Sequence, residues 1–115
     1  MVNCLQDVLS PDDQCVCVFT QQEGSQKNLV LNPDGISKSG IWKLDQIRIM
    51  WVNKVVVYYR HDGINEIITG HCEGISPTIF RDHYCIEFKV TNIDQTLNGW
   101  EDFCKEGTEP IQYYP

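Results

Sequence analysis

Four large aromatic residues, Trp42, Trp51, Tyr58 and Tyr59, lie in one stretch of chain together with Lys43, Arg48, Lys54 and Arg60. Aromatic faces stack on nucleobases while Arg and Lys meet phosphate oxygens, so this mixture suits a nucleotide or a single strand of nucleic acid. Tyr58 and Tyr59 are adjacent, however, and successive strand residues point to opposite faces, so at least one of them is expected in the core. Trp42 and Trp51 are also what a core uses, since large aromatics are mostly buried. If the cluster binds, the expected site is a cleft lined by Trp42, Trp51 and Tyr59, with Lys43, Arg48 and Arg60 supplying phosphate contacts.

The thiols offer a second chemistry. Cys4, Cys15, Cys17, Cys72, Cys85 and Cys104 form an even set, which in a secreted chain would suggest disulfides. The residues from Met1 onward have neither a basic start nor an apolar stretch of the signal-peptide kind, so the expectation is a cytoplasmic protein with reduced thiols. Cys15 with Cys17, and His83 with Cys85, share strand faces and could each chelate zinc, and His71-Cys72 is a further donor pair. None of these has the C-x₂₋₄-C spacing of common structural sites, and the expectation is no metal and no cofactor. A Cys72–His83 pair could in principle form a thiol enzyme, but six Cys and three His offer many such pairings by chance. None of the motifs G-x-S-x-G, G-x-x-x-x-G-K-[ST], H-E-x-x-H or G-x-G-x-x-G occurs, so no catalytic residue is assigned.

Charge narrows the partner. The net charge is -7 with a pI near 4.7, which opposes general adhesion to nucleic acid or anionic lipid. Yet Lys38, Lys43, Arg48, Lys54 and Arg60 stand against the single acid Asp45, a local excess of +4. Residues 1–26 and 92–115 are acidic. A cationic patch on an acidic body suits a few phosphates rather than a long duplex. The acidic ends also admit another reading, a protein-interaction module that mimics nucleic acid charge.

These residues need a scaffold, and the pattern supplies strands. Residues 15–20 and 54–60 are β-branched and apolar, and residues 84–90 alternate so that Tyr84, Ile86, Phe88 and Val90 face the core. Residues 27–31 could pair with the first of these strands. His61-Asp62-Gly63-Ile64-Asn65 reads as a hairpin loop into Glu66-Ile67-Ile68-Thr69, and Gly70 and Gly74 suggest a bulge that curves the sheet. Residues 41–52 mix helical and alternating spacing and read as a short helix or strand. Trp100 and Phe103, three apart, would pack from one side of a short helix, and residues 110–115 finish extended. The 115 residues form one domain, and no apolar run is long enough to span a membrane as a helix.

The run Ile41-Trp42-Lys43-Leu44, then Asn53-Lys54-Val55-Val56-Val57-Tyr58-Tyr59-Arg60, then Glu66-Ile67-Ile68-Thr69-Gly70-His71-Cys72-Glu73-Gly74-Ile75, then Tyr84-Cys85-Ile86-Glu87-Phe88-Lys89-Val90 resembles the middle of the PUA-like barrels, especially the EVE and ASCH branches. The resemblance covers about residues 41–90. It implies a small curved β-barrel that binds modified bases, RNA or related small ligands in an aromatic cleft. By this likeness residues 55–59 are the central strand of the family and Ile68-Thr69-Gly70 begins the next. Val52-Asn53 stands where the family has a Gly-Asp turn, and the customary N-terminal Trp is missing. The expectation is a mainly β (α+β) domain, a curved antiparallel sheet or barrel of five to six strands with one or two short helices. Its expected function is non-catalytic recognition of a nucleotide, a modified base or a short single strand.

Overall fold

The computed structural model describes residues 1–21, 28–105 and 107–115. Of the polar stretch 21–26 expected to end the first strand, residues 22–26 lie outside them, as does Lys27 at the start of its expected partner. Seven strands form one mixed sheet: β1 (Cys15–Gln21), β2 (Leu29–Val30), β3 (Ser37–Trp42), β4 (Lys54–His61), β5 (Ile64–Pro77), β6 (Tyr84–Gln95) and β7 (Ile111–Tyr114), in the order β2-β3-β6-β5-β4-β1-β7. Single 3₁₀ turns at Leu5–Val8 and Arg48–Trp51 and one helix, α1 (Trp100–Cys104), complete it.

The mainly β expectation holds, with differences in detail. Among the described residues there are seven strands rather than five or six, and the sheet is not closed into a barrel. One central pair, β1 and β4, runs parallel, from Cys15↔Lys54 to Gln21↔Arg60, while the other pairs are antiparallel. The continuous apolar runs explain this placement. Cys15, Val16, Cys17 and Val18 on β1, and Val55, Val56, Val57 and Tyr58 on β4, are buried whichever way they point. Strands with that composition belong where both faces of a sheet are covered. Residues 29–30, expected beside β1, pair with β3 instead, with Leu29 opposite Ser39.

The β4–β5 hairpin closes through Asp62 and Gly63, both at positive φ (49° and 75°), the backbone that a tight two-residue hairpin turn needs. The β5–β6 register shifts at Thr69/Gly70 and Cys72/Gly74, where the glycines suggest a bulge. At Gly70 the reason is close approach: a Cβ there would stand 2.5 Å from the Lys89 carbonyl oxygen.

Side-chain alternation sorts the core into two faces. On one, Val16, Val18, Val55, Val57, Ile68, Ile86 and Phe88 form a largely aliphatic core, capped by Leu44 and by Ile49 of the second 3₁₀ turn. On the other, Cys15, Cys17, Val56, Tyr58 and Ile67 pack against Leu5, Trp100, Phe103 and Cys104. Trp100 and Phe103 do share the inner side of α1, as their spacing predicts, and both rings lie about 5.5 Å from that of Tyr58. No helix is long and apolar enough to cross a membrane among the described residues.

Candidate functional site

Asp45 and Tyr113 build the local structure that carries the cationic aromatic segment. The Asp45 carboxylate accepts the backbone N–H groups of Ile47 and Arg48, each at 3.0 Å, and so starts the 3₁₀ turn Arg48–Trp51. The Asp45 N–H donates to the Tyr113 hydroxyl at 3.0 Å, tying that loop to β7. Ile49 is the residue of the turn that enters the core, and this directs its neighbours outward. Trp51 is 71% exposed, and Ile47 and Met50 beside it are 74% and 77% exposed.

The Arg48 guanidinium lies 4.7 Å over the Tyr113 ring, and its Nη2 donates to the main-chain oxygen of Pro115 at 3.3 Å. Arg48, Trp51 and Tyr113 line a cavity of about 110 Å³. Across Tyr113, Lys43 lines another of about 280 Å³, together with Asp45 and Glu109. Burial raises the Tyr113 hydroxyl pKa and the Asp45 charge adds to this, against the Asp45 amide bond and the Arg48 charge. Tyr113 therefore stays protonated at neutral pH.

The other residues expected in the cleft are elsewhere. Tyr59 and Arg60, neighbours on β4, point to opposite faces. Tyr59 stacks on His61 with ring centroids 4.5 Å apart on the aliphatic side. Burial pushes its hydroxyl pKa up, aided by Asp62 and Glu66. Trp42 is half-buried against the aliphatic core, and its Nε1 donates to Ser39 Oγ at 3.0 Å. Arg60 belongs to the aromatic face, 5.2 Å over Phe19, with Nε donating to Asn65 Oδ1 at 3.2 Å. The six expected residues thus do not line one cleft: Lys43, Arg48 and Trp51 gather around Tyr113, Trp42 and Tyr59 serve packing, and Arg60 stands apart. Tyr113 is the residue that sequence reasoning missed. Alternation along β7 shows that Tyr113 and Tyr114 face opposite ways, but nothing in the chain order places either beside Asp45.

The five cations of residues 38–60 also divide. Lys38 pairs with Glu87 at 3.8 Å and Lys54 with Asp13 at 2.6 Å. Among the described residues, Lys43, Arg48 and Arg60 make no salt bridge to an Asp or Glu side chain.

The thiols are arranged for packing. Cys15 and Cys17 are buried on the aromatic face beside Cys104. Burial pushes the Cys15 thiol up to about 12 and that of Cys17 well above its ordinary value. Cys72 is pushed up as well, again chiefly by burial. Such thiols are poor nucleophiles at neutral pH. His83 sits at the tip of the β5–β6 hairpin, its ring bonded to the Arg81 carbonyl, whereas Cys72 pairs with Phe88 farther down. Among the described residues, no three His, Cys, Asp or Glu side chains are grouped to hold a metal ion.

Fold and site together define a small mainly β protein whose open mixed sheet carries an exposed aromatic and cationic turn. No family model matches the chain, and neither a curated protein nor a solved structure is found to be similar to it.

Proposed function

We propose that this protein binds a nucleotide or a short single-stranded nucleic acid on the surface formed by Lys43, Arg48, Trp51 and Tyr113. The observation that carries this reading is the exposure of Trp51 on the same short turn as Arg48. A Trp this exposed leaves its ring face open to a base, and Arg48 and Lys43 are cations without side-chain carboxylate partners among the described residues. Base–aromatic stacking combined with a few phosphate contacts is the usual grip on single strands. The PUA-like resemblance of residues 41–90 points to the same ligand class. Asp45 and Glu109 nearby offset the charges of Lys43 and Arg48, which favours a short ligand over a long one.

The test is titration of a dye-labelled eight-nucleotide oligothymidylate with the protein, read by fluorescence anisotropy of the dye. Two phosphate contacts give a log K against log salt slope of about −1.4, at roughly 0.7 per contact for single strands. Arg48→Ala halves that slope. Trp51→Ala weakens binding about tenfold or more, as the loss of one stacked base predicts. Binding unchanged in both Trp51→Ala and Arg48→Ala would overturn the reading.

Ile47 and Met50 favour a second reading, a protein partner. Ile47 and Met50 lie exposed beside Trp51, and Met50 also lines a cavity of about 460 Å³ with Ile49, Val52, Cys72 and Ile75 and the polar Gln46 and Glu73. Large apolar side chains exposed side by side are a common mark of protein contact. Ile47→Asp separates the two readings, because it abolishes an apolar contact but only modestly weakens a phosphate-directed one.

A further inference from the structure

β5 outlasts its neighbour on one side. β4 begins at Lys54, opposite His71, and the Asn53 carbonyl accepts the Cys72 N–H at 2.9 Å, so from Glu73 to Pro77 β5 pairs with β6 alone. The Thr78 N–H donates to the His83 carbonyl at 3.2 Å, and the register is unbroken from Gly74 to Pro77. By strand alternation the N–H and C=O of Ile75 therefore point away from β6. Among the described residues nothing bonds to them. An open edge of this kind is a template for another strand, and Pro77, which has no N–H to offer, keeps the template short. Beside it lies the cavity of about 460 Å³ that Ile49, Met50, Val52 and Ile75 line.

The hairpin of β5 and β6 ends in the opposite kind of feature, an apolar projection. Ile79 is 94% exposed and Phe80 54%. Hydrogen bonds fix this tip: the Thr78 hydroxyl accepts the Phe80 N–H at 3.1 Å and donates to the His83 carbonyl at 3.0 Å, and the His83 N–H donates to the Phe80 carbonyl at 3.2 Å.

We propose that two copies of this chain join edge to edge through β5, antiparallel about a two-fold axis at Ile75, each laying its Ile79-Phe80 tip on the other's Met50. In that register Ile75 exchanges two backbone bonds with its counterpart, and residue 77 of one copy faces residue 73 of the other. The tip beyond Pro77 then reaches the Val52-Asn53 segment that borders Cys72. A two-fold axis normal to the sheet keeps both aliphatic faces on one side, so the tip arrives where the turn Arg48–Trp51 covers that face. A second copy is the fitting occupant because one chain carries both halves of the contact, and two-fold symmetry uses each half twice. Covering the edge, both tips and both Met50 side chains removes about 1,100 Å² in total, just above what a specific interface needs. The dimer is therefore weak, and the net charge of -7 on each copy opposes it until salt screens the repulsion.

Sedimentation velocity of the whole chain from about 1 to 500 μM tests this. A dimer forms with a dissociation constant of about 10–100 μM, at the weak end for an interface of modest area, and raising NaCl from about 50 to 500 mM tightens it severalfold, the reverse of the salt effect on nucleic acid binding. Ile79→Asp and Met50→Lys, both at exposed positions and so sparing the fold, each weaken it at least tenfold. Mixing these two variants restores a dimer, because one tip contact is then native and the other sets a carboxylate against an ammonium. Hydrogen exchange at the Ile75 amide slows as protein concentration rises. Trp51→Ala leaves association unchanged, which keeps this outcome separate from that of the nucleotide surface. A chain that is monomeric at 500 μM, whether or not a foreign extended peptide takes the edge, overturns the proposal. So does a dimer that survives Ile79→Asp, a mixture that associates no better than either variant alone, or an Ile75 amide whose exchange is independent of concentration.

Discussion

The two faces of the sheet use the same backbone to opposite ends. On the aromatic face, Tyr58 and Phe103 are fully buried, and the chain's own first turn and α1 seal them. On the aliphatic face the cover around Ile49 is one 3₁₀ turn, which spends a single residue on the core and leaves Ile47, Met50 and Trp51 outside. A seal built from many interlocking rings holds the fold. A thin cover leaves side chains free to meet something else.

Substitutions can break that contrast. Phe103→Ala removes a fully buried ring from the sealed face and costs about 4 kcal/mol, a large share of the stability of a domain this size. Urea denaturation checks it, and a cost below that of an ordinary surface change would mean that α1 is not a structural lid. Gly70→Ala forces a methyl against the Lys89 carbonyl and the Phe88 ring, the latter 2.7 Å away, and costs about 2 kcal/mol. This sharpens the contrast by showing how closely β5 and β6 approach, and thermal melting reads it.

Asp13→Asn comes next, at about 1.5 kcal/mol near neutral pH. Burial tends to raise the Asp13 pKa, but the bond from Lys54 and the amide of Ser10 outweigh it, so the folded value lies below 3.8. A depressed carboxylate pKa stabilises fully above the unfolded value and loses that contribution as pH falls through the folded value. The parent therefore loses stability below about pH 4, whereas Asp13→Asn has a flatter acid limb. Smallest is Trp51→Ala, within about 0.5 kcal/mol of the parent despite removing the largest side chain in the protein's repertoire. A melting shift as large as that of Phe103→Ala would show that Trp51 is structural and remove the basis for the proposed binding surface.

Much of this was legible in the chain because it is local. The β-branched run Val55-Val56-Val57, the Asp62-Gly63 turn, the alternation of Tyr84, Ile86 and Phe88, and the Trp100/Phe103 spacing each carry their own signal. Alternation also separates Tyr58 from Tyr59, and by the same rule Tyr59 from Arg60, so a cleft using both of the latter was in tension with β4 from the start. What was not legible depends on encounters between distant segments. The parallel register of β1 on β4 and the bond from Asp45 to Tyr113 join residues whose proximity no local period encodes. The exposure of Trp51 follows from Ile49 taking the single inward position of a tight turn, and a mixed spacing in residues 41–52 did not reveal which apolar residue would win it.

The parallel pairing of β1 and β4 has a consequence for the order in which the chain acquires structure. β1 precedes both of its neighbours in the sequence, for β4 begins at Lys54 and β7 at Ile111. The β4–β5–β6 meander can zip from its own hairpins, but β1 must wait until distant chain arrives, at the entropic cost of a long loop. During synthesis, its Cys15-Val16-Cys17-Val18-Phe19 run is thus the apolar segment left unpaired the longest, and the one through which nascent molecules would most readily stick to one another.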